Sequence, residues 1–321
     1  MFDNKQPLFN YHFISTPSDA VAAPMEEIMG VYNLCFPHGA RSRREFEQII
    51  ALNGSHGLRQ EWRDNRYDIC YVQAEKIVVG IGAYMILPAA ARGAWDGYDA
   101  VVFIDYRAVH PAVQKSGIAK EIEQHAICQA TCFLAQTRRV RADESAQILV
   151  MNESSIPVKM SLRDYEADQK QANIDPCDRI IRVWGKQGYR RLLPNRSVKH
   201  YVEPAFQNNI GCLDYSLNAK IPDGYVLSAS TLAQILEAWA GIRHFFGGDP
   251  QQDSNFRTMI DQIHSAQIIP PVDDREYLRV LKPSIDILQN HAKNWLENDP
   301  RRDMSIDELL RRENMPCPAH P

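Results

Sequence analysis

The chain has 321 residues, of which 45% are hydrophobic and 24% charged, and its formal net charge is -4. That length and composition suit one large or two ordinary domains with a buried core, and the acidic balance argues against a nucleic-acid partner, which leaves a basic footprint. Seven cysteines, an odd number with no Cys-x-x-Cys pair, do not form a disulfide framework. They fit a reducing, cytoplasmic setting. Near the N-terminus no basic region leads into an apolar core, so no signal peptide is expected. The longest uncharged apolar stretch, residues 77–91, is too short to span a bilayer and contains Pro88, so no membrane association is expected.

Residues 11–15 read as a first strand. Residues 24–36 carry Met25, Ile28, Met29 and Tyr32 at helical spacing, with Pro24 in the first turn. A second helix is expected over 43–53, stopped near Gly54. Residues 67–74 and 77–87 read as two strands of a hairpin turning at Ala74-Glu75-Lys76. A third long strand covers 100–109 and ends at His110-Pro111, because proline removes a ladder donor. Residues 117–135 form the next helix, 147–151 a short buried strand, and 178–187 another helix closed by Gly188 and followed by a strand from Tyr189. Between 154 and 176 the chain is polar and irregular, apart from a turn of helix at 162–169.

This alternation indicates an α/β (α+β) domain: a mixed, mostly antiparallel sheet flanked by helices. The division expected is residues 1–207 for this domain and 208–321 for a mainly helical C-terminal region. The latter includes an amphipathic helix over 231–246 with Leu232, Ile235, Leu236, Trp239 and Ile242 on one side. A helix over 256–263 and one over 277–295 broken by Pro283 follow. A capping box, Ser305-Ile306-Asp307-Glu308, opens the last helix. Trp239, Phe245 and Phe246 are candidates for a surface that docks a partner or a second copy in a homodimer, although core packing is the simpler reading.

The segment with chemical content is Val109-His110-Pro111-Ala112-Val113-Gln114-Lys115-Ser116-Gly117-Ile118-Ala119. It joins a strand to a helix. Glycine there lets the backbone approach a ligand closely, and the first helical turn offers unpaired N–H groups and a favourable dipole. Together these suit a pyrophosphate, to which Lys115 adds a charge and Ser116 a hydroxyl. A Walker loop and a Gly-x-Gly-x-x-Gly dinucleotide fingerprint are both absent.

The pattern Val109-x-Pro111 followed by Gln114-x-x-Gly117-x-Ala119 resembles the acyl-CoA loop of the GNAT acetyltransferase superfamily. The preceding hairpin and long strand, the strand Ile148-Leu149-Val150-Met151-Asn152-Glu153, and the segment Arg182-Val183-Trp184-Gly185-Lys186-Gln187-Gly188-Tyr189 extend the resemblance over residues 11–201. It implies an acyl-CoA-dependent N-acyltransferase with acetyl-CoA as co-substrate and a small-molecule or protein amine as acceptor. The amine attacks the thioester directly, which requires positioning, deprotonation of the amine and re-protonation of the thiolate. By the resemblance, the backbones of Ala108 and Val109 bind the pantetheine arm and polarise the thioester carbonyl. Gln114 to Ala119 hold the pyrophosphate, and Asn152 and Trp184 stand among the residues facing CoA. Many members carry at the position of Trp184 a tyrosine that protonates the thiolate, and an indole N–H is too weak an acid. Tyr189 or a water is then the acid, or the protein binds acyl-CoA without transfer.

Candidate bases are Asp105, mid-strand where burial raises a carboxylate; Glu153, at the end of the next strand; and His110, of the residue type suited to proton transfer near neutral pH and adjacent to the thioester site that the resemblance implies. The bland alternative for Asp105 is pairing with an arginine such as Arg107. Arg41, Arg43 and Arg44 read first as a solvated helix end. His125, Cys128 and Cys132 lie on one helix, but a metal site needs a fourth ligand, and no metal is expected.

Overall fold

A computed structural model describes residues 8–36, 41–53, 64–137, 139–141, 144–172, 174–192, 201–203, 213–222, 224–243, 254–264, 268–269, 271–272 and 274–315. In chain order the first elements are β1 (Phe9–Ile14), α1 (Pro17–Ala22), α2 (Met25–Cys35), α3 (Arg43–Ile50), β2 (Arg66–Ala74), β3 (Ile77–Pro88), β4 (Ala100–Val109), α4 (Ile118–Gln136) and β5 (Ile148–Ser155). There follow α5 (Leu162–Ala172), α6 (Pro176–Asp178), β6 (Tyr189–Leu192), β7 (Tyr201–Glu203), β8 (Leu213–Lys220), β9 (Leu227–Ser228) and α7 (Ala229–Arg243). The last are α8 (Ser254–His264), β10 (Ile268–Ile269), β11 (Pro271–Val272), α9 (Arg275–Ala292) and α10 (Ile306–Arg312). No helix among the described residues is long and apolar enough to cross a membrane.

The chain divides into two compact units, Met1–Asn152 with Thr231–Pro250, and Glu153–Ser230 with Gln251–Pro321. These units are drawn differently from a division at 207/208, a boundary that lies outside the described residues, as do Phe245 and Phe246.

In the first unit the strands run in the order β1-β2-β3-β4-β5. All neighbours are antiparallel except β4 and β5, which are parallel. The β2–β3 hairpin turns on Glu75 and Lys76, both at positive φ, the backbone sense that matches the twist of the flanking strands. One face of the sheet carries α4. Two glycines of β3 make room for it: a Cβ at Gly80 would lie 3.1 Å from Ile118 Cγ2, and one at Gly82 only 2.2 Å from Ile122 Cγ2. Arg107 of β4, on that face, bonds Glu123 of α4 at 3.0 Å and the carbonyl of Ala119 at 3.1 Å. Both charged side chains are almost wholly buried. On the opposite face, Tyr32 of α2 meets Phe46 of α3 and Tyr106 of β4 edge-on, with ring centroids 5.1 and 5.0 Å away. Thr16 and Ser42 close capping boxes with Asp19 and Glu45 at the starts of α1 and α3, each satisfying two orphan amides.

Helix α7 packs into this unit. Trp239 is fully buried with its ring 5.3 Å from Phe103 of β4. Trp95 Nε1 donates to Gln234 Oε1 at 3.1 Å, and Asn65 Nδ2 to the Ala238 carbonyl at 3.1 Å. Trp239 is thus a core residue.

The second unit has its own core, in which Leu162 and Tyr165 of α5 meet Leu281, Ile285 and Leu288 of α9 and Leu309 of α10. Strand β8 pairs antiparallel with β6 and β7, and β6 with β11. Buried Arg191 on β6 grips Asp274 ahead of α9 through two nitrogens, one at 2.7 Å.

Several elements differ from their expected form. The polar stretch after 154 holds three turns of helix in α5, because Leu162 and Tyr165 bury against α9 and α10. The helix expected over 178–187 is a short α turn, then a π-helical turn over Arg179–Trp184, then a 3-10 turn over Gly185–Gln187, closed by Gly188 at φ 86°. Helix α9 runs through Pro283 unbroken. That proline is exposed, so the carbonyl it leaves without a partner faces water. Strand β8 was not expected at all.

Gly82→Ala should force Ile122 aside and destabilise the chain by about 1–3 kcal/mol, read by denaturant unfolding. Ile122→Ala in the same chain should recover part of that loss. Trp239→Ala should cost about 3–5 kcal/mol, whereas a helix docked only by its exposed side would show almost no change.

Candidate acyl-carrier site

The site is built where β4 gives way to α4. His110 N–H still donates to Val79 O, at 2.8 Å on the β3 side. Strand alternation turns the Val109 amide to the opposite edge. On that edge the parallel ladder with β5 stops at Ile104↔Asn152, five residues short of the end of β4. Asn152 is buried at that last rung, and β5 passes out of the first unit after it.

Beyond Val109 the chain makes a 3-10 turn over Pro111–Val113. The His110 side chain caps this turn: its Nδ1 accepts from Ala112 N–H at 3.2 Å. Gln114 Nε2 reaches back to Val109 O at 3.4 Å. Lys115 and Gly117 both take left-handed backbone, at φ 70° and 93°. Gly117 is the N-cap of α4, with no side chain bonded to the first-turn amides. A Cβ on Gly117 would meet nothing within 4 Å, so the space above the helix start is open. Gln114, Lys115, Ser116 and Gly117 are all exposed. Left-handed residues alternating with ordinary ones turn successive N–H groups into one anion-sized concavity, and the helix dipole adds to it.

Nine of the expected residues therefore come together: Ala108, Val109, His110, Gln114, Lys115, Ser116, Gly117, Ile118 and Ala119. Ile118 is the exception in orientation, buried against Gly80, so that only its backbone faces the turn. Trp184 and Tyr189 meet each other in the second unit, edge to face at 5.2 Å, with Tyr189 buried. Glu153 is also in the second unit.

Asp105 lies on the first unit's other face. It is the extra residue of a β-bulge: Ala83 pairs with Tyr106 and Tyr84 with Ile104. The bulge puts Asp105 and Tyr106 on the same side, a change of parity from simple alternation. The Asp105 carboxylate pairs with the Arg41 guanidinium and accepts from Tyr67 Oη at 2.8 Å. Its arginine is thus Arg41, while Arg107 belongs to Glu123. Arg41 also bonds Tyr67 Oη at 3.1 Å, and its guanidinium lies 4.9 Å from the Tyr106 ring centre. Burial works against the Arg41 charge, and Asp105 together with Tyr67 and Tyr106 more than offsets it, holding the cation well above its ordinary range. Burial, reinforced by Asp105, keeps the Tyr67 phenol protonated.

Sequence reasoning missed Cys35, whose thiol points at Val109 O from 3.8 Å and is pushed up by burial. It also missed Tyr67 as a partner of Asp105. Neither carries a local motif, and both are brought in by packing. Among the described residues no group of three or more His, Cys, Asp or Glu side chains is placed to hold a metal. Cys128 and Cys132 are exposed thiols, and His125 packs against the rings of Tyr11 and Phe13.

A mixed, mostly antiparallel sheet flanked by helices is what the resemblance implied; among the strands of the first unit the parallel pair is β4–β5, and a helix with Gly117 at its N-cap follows β4. The chain resembles the GNAT acetyltransferases. No family model and no curated protein matches it. Among solved structures it is similar to an IAA acetyltransferase from Bacillus cereus, with 16% identity, 66% of this chain and 98% of that one covered, and a TM-score of 0.31. It is also similar to a putative GNAT-family acetyltransferase from Desulfovibrio desulfuricans (12% identity, 66% and 96% covered, TM-score 0.35). The loading GNAT-like domain of CurA from Lyngbya majuscula gives the same figures. At TM-scores this low the likenesses add no weight to the turn and strand order themselves.

Asp105→Ala strands the buried Arg41 cation and should cost about 3–5 kcal/mol of stability. Unfolding of the variant measures this; an unchanged midpoint would mean that the carboxylate does not hold Arg41 in place.

Proposed function

We propose that this chain is an acyl-CoA-dependent N-acyltransferase, with acetyl-CoA as co-substrate and a small-molecule or protein amine as acceptor. On this reading the chemistry belongs to residues 1–207. The observation that carries it is the turn from His110 to Gly117: two left-handed residues, open space over Gly117 and uncapped amides at the start of α4. Those amides would hold the pyrophosphate, with Lys115 as an added charge. The Val109 amide, turned away from β3, would bind the pantetheine arm and polarise the thioester carbonyl. The amine would then attack directly, its rate set by positioning and by proton transfer.

Asp105, His110 and Glu153 are the proposed bases and Tyr189 the proposed acid. Asp105 and His110 each carry a condition. Asp105 must release Arg41 or Tyr67 before it takes a proton. His110 already spends its Nδ1 lone pair on the Ala112 amide, so it must swing off the turn. The second reading, an acyl-CoA binder without transfer, is favoured by Trp184 at the position where many members of the resembled superfamily carry a thiolate-protonating tyrosine. A cytoplasmic setting is part of the same proposal, on the odd cysteine count of the sequence.

Saturating acetyl-CoA should raise the melting temperature; ligand at a hundredfold over Kd contributes about 2.7 kcal/mol. Gly117→Glu, which puts a strained backbone and a carboxylate where the diphosphate would sit, should abolish that shift. No shift in the unaltered chain would overturn the reading. Thiol release from acetyl-CoA with a panel of amines separates the enzyme from the silent binder. If transfer occurs, His110→Gln with normal folding and a lost alkaline-side rate rise would assign the base to His110, whereas an unchanged pH profile would remove it.

A further inference from the structure

The end of β4 is approached from α2 as well as from the turn before α4. In an antiparallel pair the N–H and C=O of one residue point the same way. The His110 amide faces β3, so the N–H and the carbonyl of Val109 both face the opposite edge, where the ladder with β5 has already stopped. Gln114 Nε2 reaches that carbonyl from the turn at 3.4 Å, and the thiol of Cys35, the last residue of α2, reaches it from the other side at 3.8 Å. Cys35 therefore stands beside the Val109 amide on the same open edge.

Next to Cys35 the space is filled. Phe36 meets Tyr106 of β4 at 5.2 Å and Tyr32 at 5.3 Å, and Tyr32 meets Tyr106 at 5.0 Å. The Arg41 guanidinium lies over the Tyr106 ring and pairs with Asp105. An apolar chain passing this layer would have to part close-packed rings and then disturb a buried ion pair. Burial pushes the Cys35 thiol up, so it stays protonated and acts as a small apolar surface.

We propose that, on the reading of the turn as an acyl-CoA site, Cys35 limits the acyl chain of the co-substrate to the shortest groups, acetyl and propionyl. With the diphosphate on the turn and the thioester carbonyl on the Val109 amide, the acyl tail leaves on the side that Cys35 and Phe36 close. Cys35 sets specificity there and takes no part in making or breaking bonds. The sign of the chain-length dependence follows. In an open apolar pocket each added methylene tightens binding about fourfold, whereas against a wall each one loosens it, because packed side chains resist an extra methylene.

The test is calorimetric titration of the full chain with CoA, acetyl-CoA and butanoyl-CoA, using the unaltered chain, Cys35→Ala and Cys35→Leu. Butanoyl-CoA should bind the unaltered chain about tenfold or more weakly than acetyl-CoA, and Cys35→Ala should narrow that gap to about threefold or less. Cys35→Leu should weaken acetyl-CoA by about tenfold, while free CoA keeps its affinity in both variants. Free CoA carries the diphosphate without an acyl group, so damage to the fold would weaken all three ligands together. If Cys35→Leu lowers the melting temperature, Cys35→Ala decides alone, since it only removes Sγ from a half-buried position. Butanoyl-CoA binding the unaltered chain as tightly as acetyl-CoA, a gap that Cys35→Ala does not narrow, or a loss shared equally by the three ligands overturns the proposal and leaves the acyl-CoA reading standing. Binding of neither CoA nor the two acyl-CoAs to the unaltered chain overturns that reading, and the proposal with it.

Discussion

The seating of α4 on β3 is the constraint from which the rest of the first unit follows. Gly80 and Gly82 remove the side chains that would hold the helix off the sheet, and Ile118 and Ile122 occupy the room they leave. The contact is apolar and close, so it fixes the height of α4 over the sheet but not its position along its own axis. That second degree of freedom is taken up by Arg107, which ties Glu123 and the Ala119 carbonyl to β4. A buried ion pair of this kind is a poor source of net stability, and its geometric effect here is to join α4 to β4 at Glu123 and Ala119. Because β4 carries both the tie and the strand end, the first turn of α4 is held at a set distance from Val109. A ligand that uses both the amides of the turn and the amide of the strand needs that distance held.

The bulge at Asp105 is a second device on the same strand. One extra residue brings Asp105 and Tyr106 to one face and returns Arg107 to the other. Without it, the arginine that anchors α4 and the carboxylate that anchors Arg41 would compete for position. With it, each face of β4 has one buried charge of its own and a partner to match. The ladder with β5 ends at the rung just before the bulge, as expected of a local twist that draws two parallel strands apart. Burying a charged pair on each face of a single strand is expensive in desolvation. That it occurs at the strand leading into the turn is consistent with a local structure chosen for geometry over stability.

The second unit follows a different logic. Its core is helical, and the Arg191–Asp274 pair ties β6 to the start of α9. The π turn over Arg179–Trp184 is the irregular element there. A widened turn shifts the angular position of every later side chain relative to an ordinary helix. The same displacement brings Trp184 against the ring of Tyr189.

Much of this protein is decided by local pattern and is therefore readable from the sequence. The alternating apolar residues of the hairpin, the β-branched run of β4, the periodic stripe of α4 and the strand-to-helix turn with Gly117 at its close all express short-range rules. Accordingly, the strands, the long helix and the residues of the turn stand where those rules put them. What the sequence could not decide is which surfaces meet. An apolar stripe says that a helix will be buried but not against what, and so α7, over 120 residues beyond β4, closes over Phe103 in the first unit. Parity along a strand holds only until a bulge interrupts it, and so Asp105 finds Arg41 instead of sharing a face with the neighbouring Arg107. Pro283 breaks a helix by rule, yet its exposed position leaves the freed carbonyl to water and α9 continues. In each case the deciding energy comes from contacts between distant segments. Such contacts exist only once the chain has folded, and no window of the sequence contains both partners.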